Sequence, residues 1–121
     1  MEADIGPDPM IYNSGLAILE ALWMGVSVVT PAGEVFCARH SAIHLHAAGL
    51  ADWVADSDDA YVAIACAAAR DLSNLADLRQ RLRGQIKVSP LCDAERFARN
   101  LDTAYRAMIA DIWAGQHAKA G

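Results

Sequence analysis

Residues 12–31 read YNSGLAILEALWMGVSVVTP, and this stretch decides the fold. Asn13, Ser14 and Gly15 are turn and helix-capping residue types. Leu16, Leu19, Ala21, Leu22 and Trp23 then make a short helix that is apolar on most sides. Gly25 stands just past its end, where a left-handed cap favours glycine. Val26, Val28, Val29 and Thr30 form a β-branched run stopped by Pro31, the pattern of a strand buried on both faces. The spacing therefore predicts a helix over 14–24 and a strand over 26–30. A glycine-bearing turn that feeds a helix N-terminus beside a parallel strand is also a general anion-holding arrangement. Backbone N–H groups and the helix dipole both favour negative charge there.

Working outward, Ala3–Gly6 reads as a short strand ended by Pro7-Asp8-Pro9. After the turn Pro31-Ala32-Gly33, a helix is expected over 35–48, closed by Gly49, and a third strand over 52–55. Asp56 and Ser57 then cap a helix that runs to about Arg70, with Asp58 and Asp59 in the first turn where the dipole favours them. Ser73 is expected to cap the next helix, whose Leu75, Leu78 and Leu82 share one stripe, and Ser89-Pro90 breaks it. The last helix starts near Asp93 and carries Phe97, Leu101, Tyr105, Met108 and Ile112 on one continuous apolar face. The tail over 115–121 is expected to fray. This order, β-α-β-α-β followed by helices, predicts an α/β fold with a three-stranded parallel sheet and right-handed crossovers.

At 121 residues the chain is at most one domain, with 55% hydrophobic and 21% charged residues. A net charge of −5 argues against a nucleic-acid partner. Arg79, Arg81 and Arg83 do cluster, but a spacing of two spreads them around a helix. The richest apolar stretch, Ala60–Ala69, is too short to span a bilayer. The opening MEADIGPDPM is acidic and proline-bearing, unlike a signal or transit peptide, so a cytoplasmic location is expected. Cys37, Cys66 and Cys92 have no C-x-x-C spacing and read as reduced thiols.

Few side chains suggest chemistry by themselves. Cys37, His40 and His44 fall at i, i+3 and i+7 on the expected second helix, one face of which could hold zinc with His46 or water. The intervening HSAIH lacks the glutamate of a metalloprotease helix, and ordinary histidines beside a core cysteine are the better reading, so no metal site is expected. Nucleophile-elbow and Walker patterns are absent, Trp23 reads as core, and no cofactor is called for.

The string Ala3–Gly33, ADIGPDPMIYNSGLAILEALWMGVSVVTPAG, resembles the C-terminal half of the O-linked N-acetylglucosamine transferase family, glycosyltransferase family 41. It is most similar to bacterial, tetratricopeptide-linked members, whose pattern runs roughly D-x-x-L-D-P-x-P-Y-N-G-G-T-T-T-x-E-A-L-W-M-G-V-P-V-V-T. The similarity continues through Gly33, Arg39, Gly49-Leu50, Tyr61-Val62 and Ser89–Ala94, and ends with Arg96–Arg99 and Ala104–Arg106. EALWMGV and SPLCDAERFAR are its compositionally unusual strings.

The resemblance implies a partial Rossmann-like fold: the C-terminal half-domain of a GT-B glycosyltransferase, about three parallel strands with helices on both faces and a C-terminal helical segment. Residues 1–121 are then one partial domain, about the last third of a catalytic module. It further implies a UDP-sugar as ligand. A polar run at the helix start binds its diphosphate and a carboxylate one turn on binds its ribose. Carried over, the turn asparagine is Asn13, the preceding position is Gly15, and the carboxylate is Glu20. The hydroxyl-bearing run is replaced by Leu16, Ala17 and Ile18, which leaves the backbone N–H groups of Gly15, Leu16 and Ala17. Two missing hydroxyls to a charged ligand cost about 3–6 kcal/mol, roughly two to four decades in dissociation constant. Binding is therefore expected to be weak or lost, with Glu20 either a ribose ligand or a solvated helix carboxylate. Arg39 matches a family arginine and either meets ligand or pairs with an acid such as Glu34. The family's general base and phosphate-binding lysine have no counterpart here, so no catalytic residue is assigned. Two readings follow: the UDP-sugar side of a family 41 transferase, inactive alone and needing its missing catalytic portion, or a degenerate paralogue that self-associates or serves in assembly.

Overall fold

The apolar run after Gly25 becomes the middle strand of the sheet. In the computed structural model, which describes residues 3–118 and side chains as far as residue 113, strand β2 spans Ser27–Pro31. Ser27, Val28, Val29 and Thr30 are all buried, and successive strand residues face opposite sides, so both faces of β2 are covered. It pairs in parallel with β1 (Ile5–Pro7) on one side and β3 (Val54–Ala55) on the other, giving the three-stranded order β1-β2-β3. Helix α1 (Leu16–Trp23) crosses from β1 to β2, and α2 (His40–Ala47) from β2 to β3; both pack on β2. Helix α3 (Asp58–Arg70) lies along all three strands, and α4 (Leu72–Lys87) closes over α1 and α3. The core unites Ile18 and Leu22 of α1, Val28, Leu45 of α2, Ala48, Leu50, and Leu78, Leu82 and Ile86 of α4.

The expected order of strands and main helices is the observed one, and the differences lie at element ends and in a break within one expected helix. Helix α1 starts at Leu16, not 14, because Ser14 is held outside it: its N–H donates to Asp8 Oδ1 at 2.9 Å and its carbonyl accepts from Ser41 Oγ at 2.9 Å. The single helix expected over 35–48 breaks into a 3-10 turn, Phe36–Ala38, and α2. The carbonyls of Cys37 and Ala38, which a continuous helix would use, accept instead from the N–H groups of Asn13 and Gly33, at 3.0 and 2.9 Å. The strand expected over 52–55 keeps only its second half, after a 3-10 turn over Ala51–Trp53. Ser57 caps α3 as expected, accepting from the Ala60 N–H, whereas α4 is capped by Asp71. Ser73, expected in that role, donates its hydroxyl to Asp71 Oδ1 at 3.0 Å.

Gly25 takes the left-handed conformation anticipated for it, with φ of 80°. A Cβ there would also meet the Arg79 carbonyl oxygen at 3.0 Å, so backbone freedom and close approach of α4 both demand glycine. The last helix, α5 (Ala94–Ala118), extends through the first part of the tail expected to fray, and the remainder of that tail lies outside the described residues. Phe97, Leu101, Tyr105, Met108 and Ile112 are all exposed along it. Among the described residues no helix is long and apolar enough to cross a membrane.

Leu82 is 0% exposed at the centre of the core. Leu82→Ala is expected to cost about 2–5 kcal/mol of stability, against less than about 0.5 kcal/mol for the exposed Leu72→Ala. Urea denaturation of the two variants beside the parent chain checks the contrast.

Candidate functional site

The β1–β2 register sets Pro7 opposite Val29, so Asp8, just past the end of β1, meets Thr30 near the carboxyl end of β2. Asp8 is only 3% exposed, and both carboxylate oxygens are used. Oδ2 accepts from Thr30 Oγ1 at 2.7 Å, and Oδ1 from the Ser14 N–H at 2.9 Å. Thr30 Oγ1 in turn accepts from Asn13 Nδ2 at 3.3 Å, which also donates to the Pro9 carbonyl at 3.3 Å. From α3, the Tyr61 hydroxyl donates to the Asp8 carbonyl at 2.9 Å. The Tyr61 phenol is pushed above its ordinary range by burial first and by the Asp8 charge second. These groups clasp the two ends of the loop from Pro9 to Asn13 to strand, helix and sheet.

Within that loop the apolar side chains face outward. Met10, Ile11 and Tyr12 are exposed, Ile11 to 85%. Ile11 also adopts a φ of 77°, a left-handed conformation that a β-branched residue strongly disfavours. Asn13 is buried, and its Oδ1 has no hydrogen-bond partner.

The clasp delivers the chain to the N-terminus of α1. Gly15 is the N-cap; no side chain caps this end, and the first turn carries no acid. Leu16 is 69% exposed and Ala17 is also exposed. Ala17 lines a cleft of about 140 Å³ with Gly6, Pro7, Asp8 and Ser14 among its walls. Glu20, four residues after Leu16, lies about 6 Å further along the axis. It is exposed at the rim of a separate apolar hollow of about 280 Å³, with Leu19, Trp23, Ile86, Leu91 and Cys92. Asn13, Gly15, Leu16 and Ala17 thus gather at the helix start, while Glu20 borders a different hollow.

The other sequence candidates separate from this site. Cys37 belongs to the 3-10 turn with its thiol 3.8 Å from the Ile11 carbonyl, and His40 packs edge-on against Phe36 at 4.4 Å between centroids. The broken helix removes the single face expected for Cys37, His40 and His44, and no cluster among the described residues could hold a metal ion. Arg39 donates to the Gly33 carbonyl at 3.4 Å, and no ion pair joins it to Glu34 among the described residues. Trp23 packs against the core with its outer ring covered by Arg83, whose Cζ lies 4.8 Å from the centroid. Sequence reasoning overlooked Asp8, Thr30, Ser41 and Tyr61. A polar residue at the carboxyl end of each of two adjacent strands, Asp8 after β1 and Thr30 within β2, was the available signal for the first two.

A family model described as glycosyl transferase family 41 matches residues 1–101. The chain belongs to glycosyltransferase family 41. It is 41% identical over 105 residues to the "Probable UDP-N-acetylglucosamine--peptide N-acetylglucosaminyltransferase SPINDLY" of Oryza sativa subsp. japonica, matching 87% of this chain and 11% of that protein. A Caenorhabditis elegans UDP-N-acetylglucosamine--peptide N-acetylglucosaminyltransferase is 27% identical over 111 residues, covering 92% of this chain and 9% of its own. Among solved structures, a mutant O-GlcNAc transferase from Thermobaculum terrenum superposes with a TM-score of 0.81 at 38% identity, over 89% of this chain and 21% of that one. The GT-B half-domain expected from the sequence is therefore the fold of this family 41 chain, and the chain spans roughly a tenth of the curated relatives and a fifth of the structural one.

On α2, burial and, secondarily, the neighbouring His40 hold the His44 imidazole below its ordinary value of 6.5. The unfolded chain takes up this proton first as pH falls, so the stability held at neutral pH declines below about 6.5 until the folded value is passed. Melting temperatures between pH 7.5 and 5 are expected to show this decline, and His44→Gln to flatten part of it.

Proposed function

We propose that this chain forms part of the UDP-sugar side of a family 41 O-glycosyltransferase of the bacterial, tetratricopeptide-linked kind. The observation that carries the reading is the start of α1. It is exposed, lacks a side-chain cap and a first-turn acid, and follows a turn pinned by buried polar groups. Backbone N–H groups of Gly15, Leu16 and Ala17 then meet the diphosphate, aided by the helix dipole. Glu20, one turn along, accepts hydrogen bonds from the ribose hydroxyls. The transfer chemistry belongs to groups outside this chain, which alone turns over no substrate. Its thiols, Cys37, Cys66 and Cys92, are all free, which supports a cytoplasmic setting.

Affinity is low on this reading for two reasons. The positions that could present hydroxyls are Leu16, Ala17 and Ile18. The Asp8 carboxylate, close beneath the same helix end, already draws on its positive potential and repels a second anion.

Titration of the ¹⁵N-labelled chain with UDP tests the reading. Amide shifts centred on residues 15–17, with millimolar affinity weakened about tenfold by Glu20→Ala, are expected. Absence of any shift at those amides, or unchanged affinity in the variant, defeats the assignment of the helix start or of Glu20 respectively. Mixing the chain with UDP-N-acetylglucosamine and an acceptor peptide is expected to give no transfer.

The exposed face of α5 favours a second reading, a degenerate paralogue working as an assembly module. Phe97, Leu101, Tyr105, Met108 and Ile112 are too large an apolar stripe to leave in water without a partner. Sedimentation is expected to report self-association; a monomer at high concentration removes this reading.

A further inference from the structure

We propose that Asp8, Thr30 and Tyr61 are positioning residues for the anion-binding turn, so that ligand affinity at the start of α1 is set by a buried clasp that never touches the ligand. The inference rests on the reading of that helix start as a nucleotide site. Its basis is the way the turn is held. From Pro9 to Asn13 the loop gains little from apolar burial, because Met10, Ile11 and Tyr12 all point to water. What fixes it is polar and buried: Thr30 Oγ1 on Asp8 Oδ2 at 2.7 Å, Ser14 N–H on Asp8 Oδ1 at 2.9 Å, Asn13 Nδ2 on Thr30 Oγ1 and on the Pro9 carbonyl, both at 3.3 Å. Tyr61 ties the same point to α3 by its bond to the Asp8 carbonyl at 2.9 Å.

Two features of this loop oppose stability. Ile11 is held at a φ of 77°, and the buried Asn13 Oδ1 has no partner. Local strain and an unmet polar atom in one five-residue loop are costs that surrounding structure must over-determine, and such costs collect at binding sites. Because Asp8 Oδ1 holds the Ser14 N–H, the clasp fixes the backbone immediately before the N-cap Gly15, from which α1 starts. A hydrogen-bond donor turned away from its acceptor weakens steeply once the angle falls below about 120°. The clasp therefore acts on the ligand through backbone direction and not through contact.

Thr30→Val removes the hydroxyl without changing charge, Thr30→Ser restores it, and Tyr61→Phe cuts the link to α3 from a half-buried position. UDP is titrated into each ¹⁵N-labelled full chain, with the fold monitored by the β2 amides and by thermal melting. Thr30→Val is expected to weaken UDP binding about tenfold and Tyr61→Phe about threefold. The Ser14 amide proton should lose its downfield, carboxylate-bonded shift in Thr30→Val and regain it, with affinity, in Thr30→Ser. A folded Thr30→Val that melts lower yet binds UDP as the parent does overturns the proposal. If Thr30→Val does not fold, unchanged affinity in Tyr61→Phe overturns it. A parent chain whose amides at residues 15–17 ignore UDP defeats the nucleotide reading itself, and the clasp then has no ligand to position.

Discussion

Everything in this fold turns on the burial of β2 on both faces. A strand covered on both sides leaves almost no side chain to water, so its residues are best apolar or paired within the protein. Ser27, whose buried hydroxyl has no partner, is the exception in β2. Val28 and Val29 satisfy the first condition, and Val28 joins the core with Leu22, Leu45 and Leu82. Thr30 is 0% exposed and carries a hydroxyl, so it must satisfy the second, and Asp8 is the acceptor within reach. A buried carboxylate is tolerable only with its own donors, which are the Thr30 hydroxyl and the Ser14 N–H. Since Ser14 immediately precedes the N-cap of α1, burial of the middle strand is passed on as a fixed helix start.

That chain of requirements explains what was legible in the sequence. Periodicity and glycine placement announce elements whose stability is local or uniformly apolar. The β-branched run at Val26–Thr30, the left-handed Gly25 and the leucine stripe of α4 were all of this kind. The break before α2 is not legible in the residue types of the helix itself. The carbonyls of Cys37 and Ala38 are diverted by Asn13, far back in the chain, and by Gly33. Ser73 and Asp71 were two capping residue types two positions apart, and residue type alone does not choose between them. The site was half legible in the same sense. The helix start could be found from Asn13, Ser14 and Gly15, whereas Asp8, Thr30 and Tyr61 meet only once strand register and the packing of α3 are known.

Electrostatics at the start of α1 separates geometry from affinity. On the proposed reading the position would suit an anion, yet no side-chain cap or hydroxyl adds to its backbone N–H groups and Asp8 already uses the neighbouring Ser14 N–H. The Asp8 carboxylate has no cationic partner among the described residues and draws its stabilisation from two hydrogen bonds and the nearby helix dipole. Leu16 adds 69% exposed apolar surface where a hydroxyl would have offered a donor. A shared fold does not by itself carry a shared ligand, because binding depends on the particular groups at the site. Membership in the family and possession of its ligand are therefore different statements for this chain.

The long helix α5 leads to a related distinction between what the chain encodes and what it completes. Its i,i+4 ion pairs, Arg99–Glu95 and Arg106–Asp102, lie on the solvated side and contribute a few tenths of a kcal/mol each. They do not account for an ordered helix of 25 residues that touches the body of the fold through little more than the turn at Pro90–Cys92. Helices outside a core owe most of their stability to burial of an apolar face. In α5 that face, from Phe97 to Ile112, remains open. The chain spans 21% of a structural relative that shares its fold. The sheet and its clasp are closed by contacts within the chain, whereas the apolar face of α5 is left exposed among the described residues.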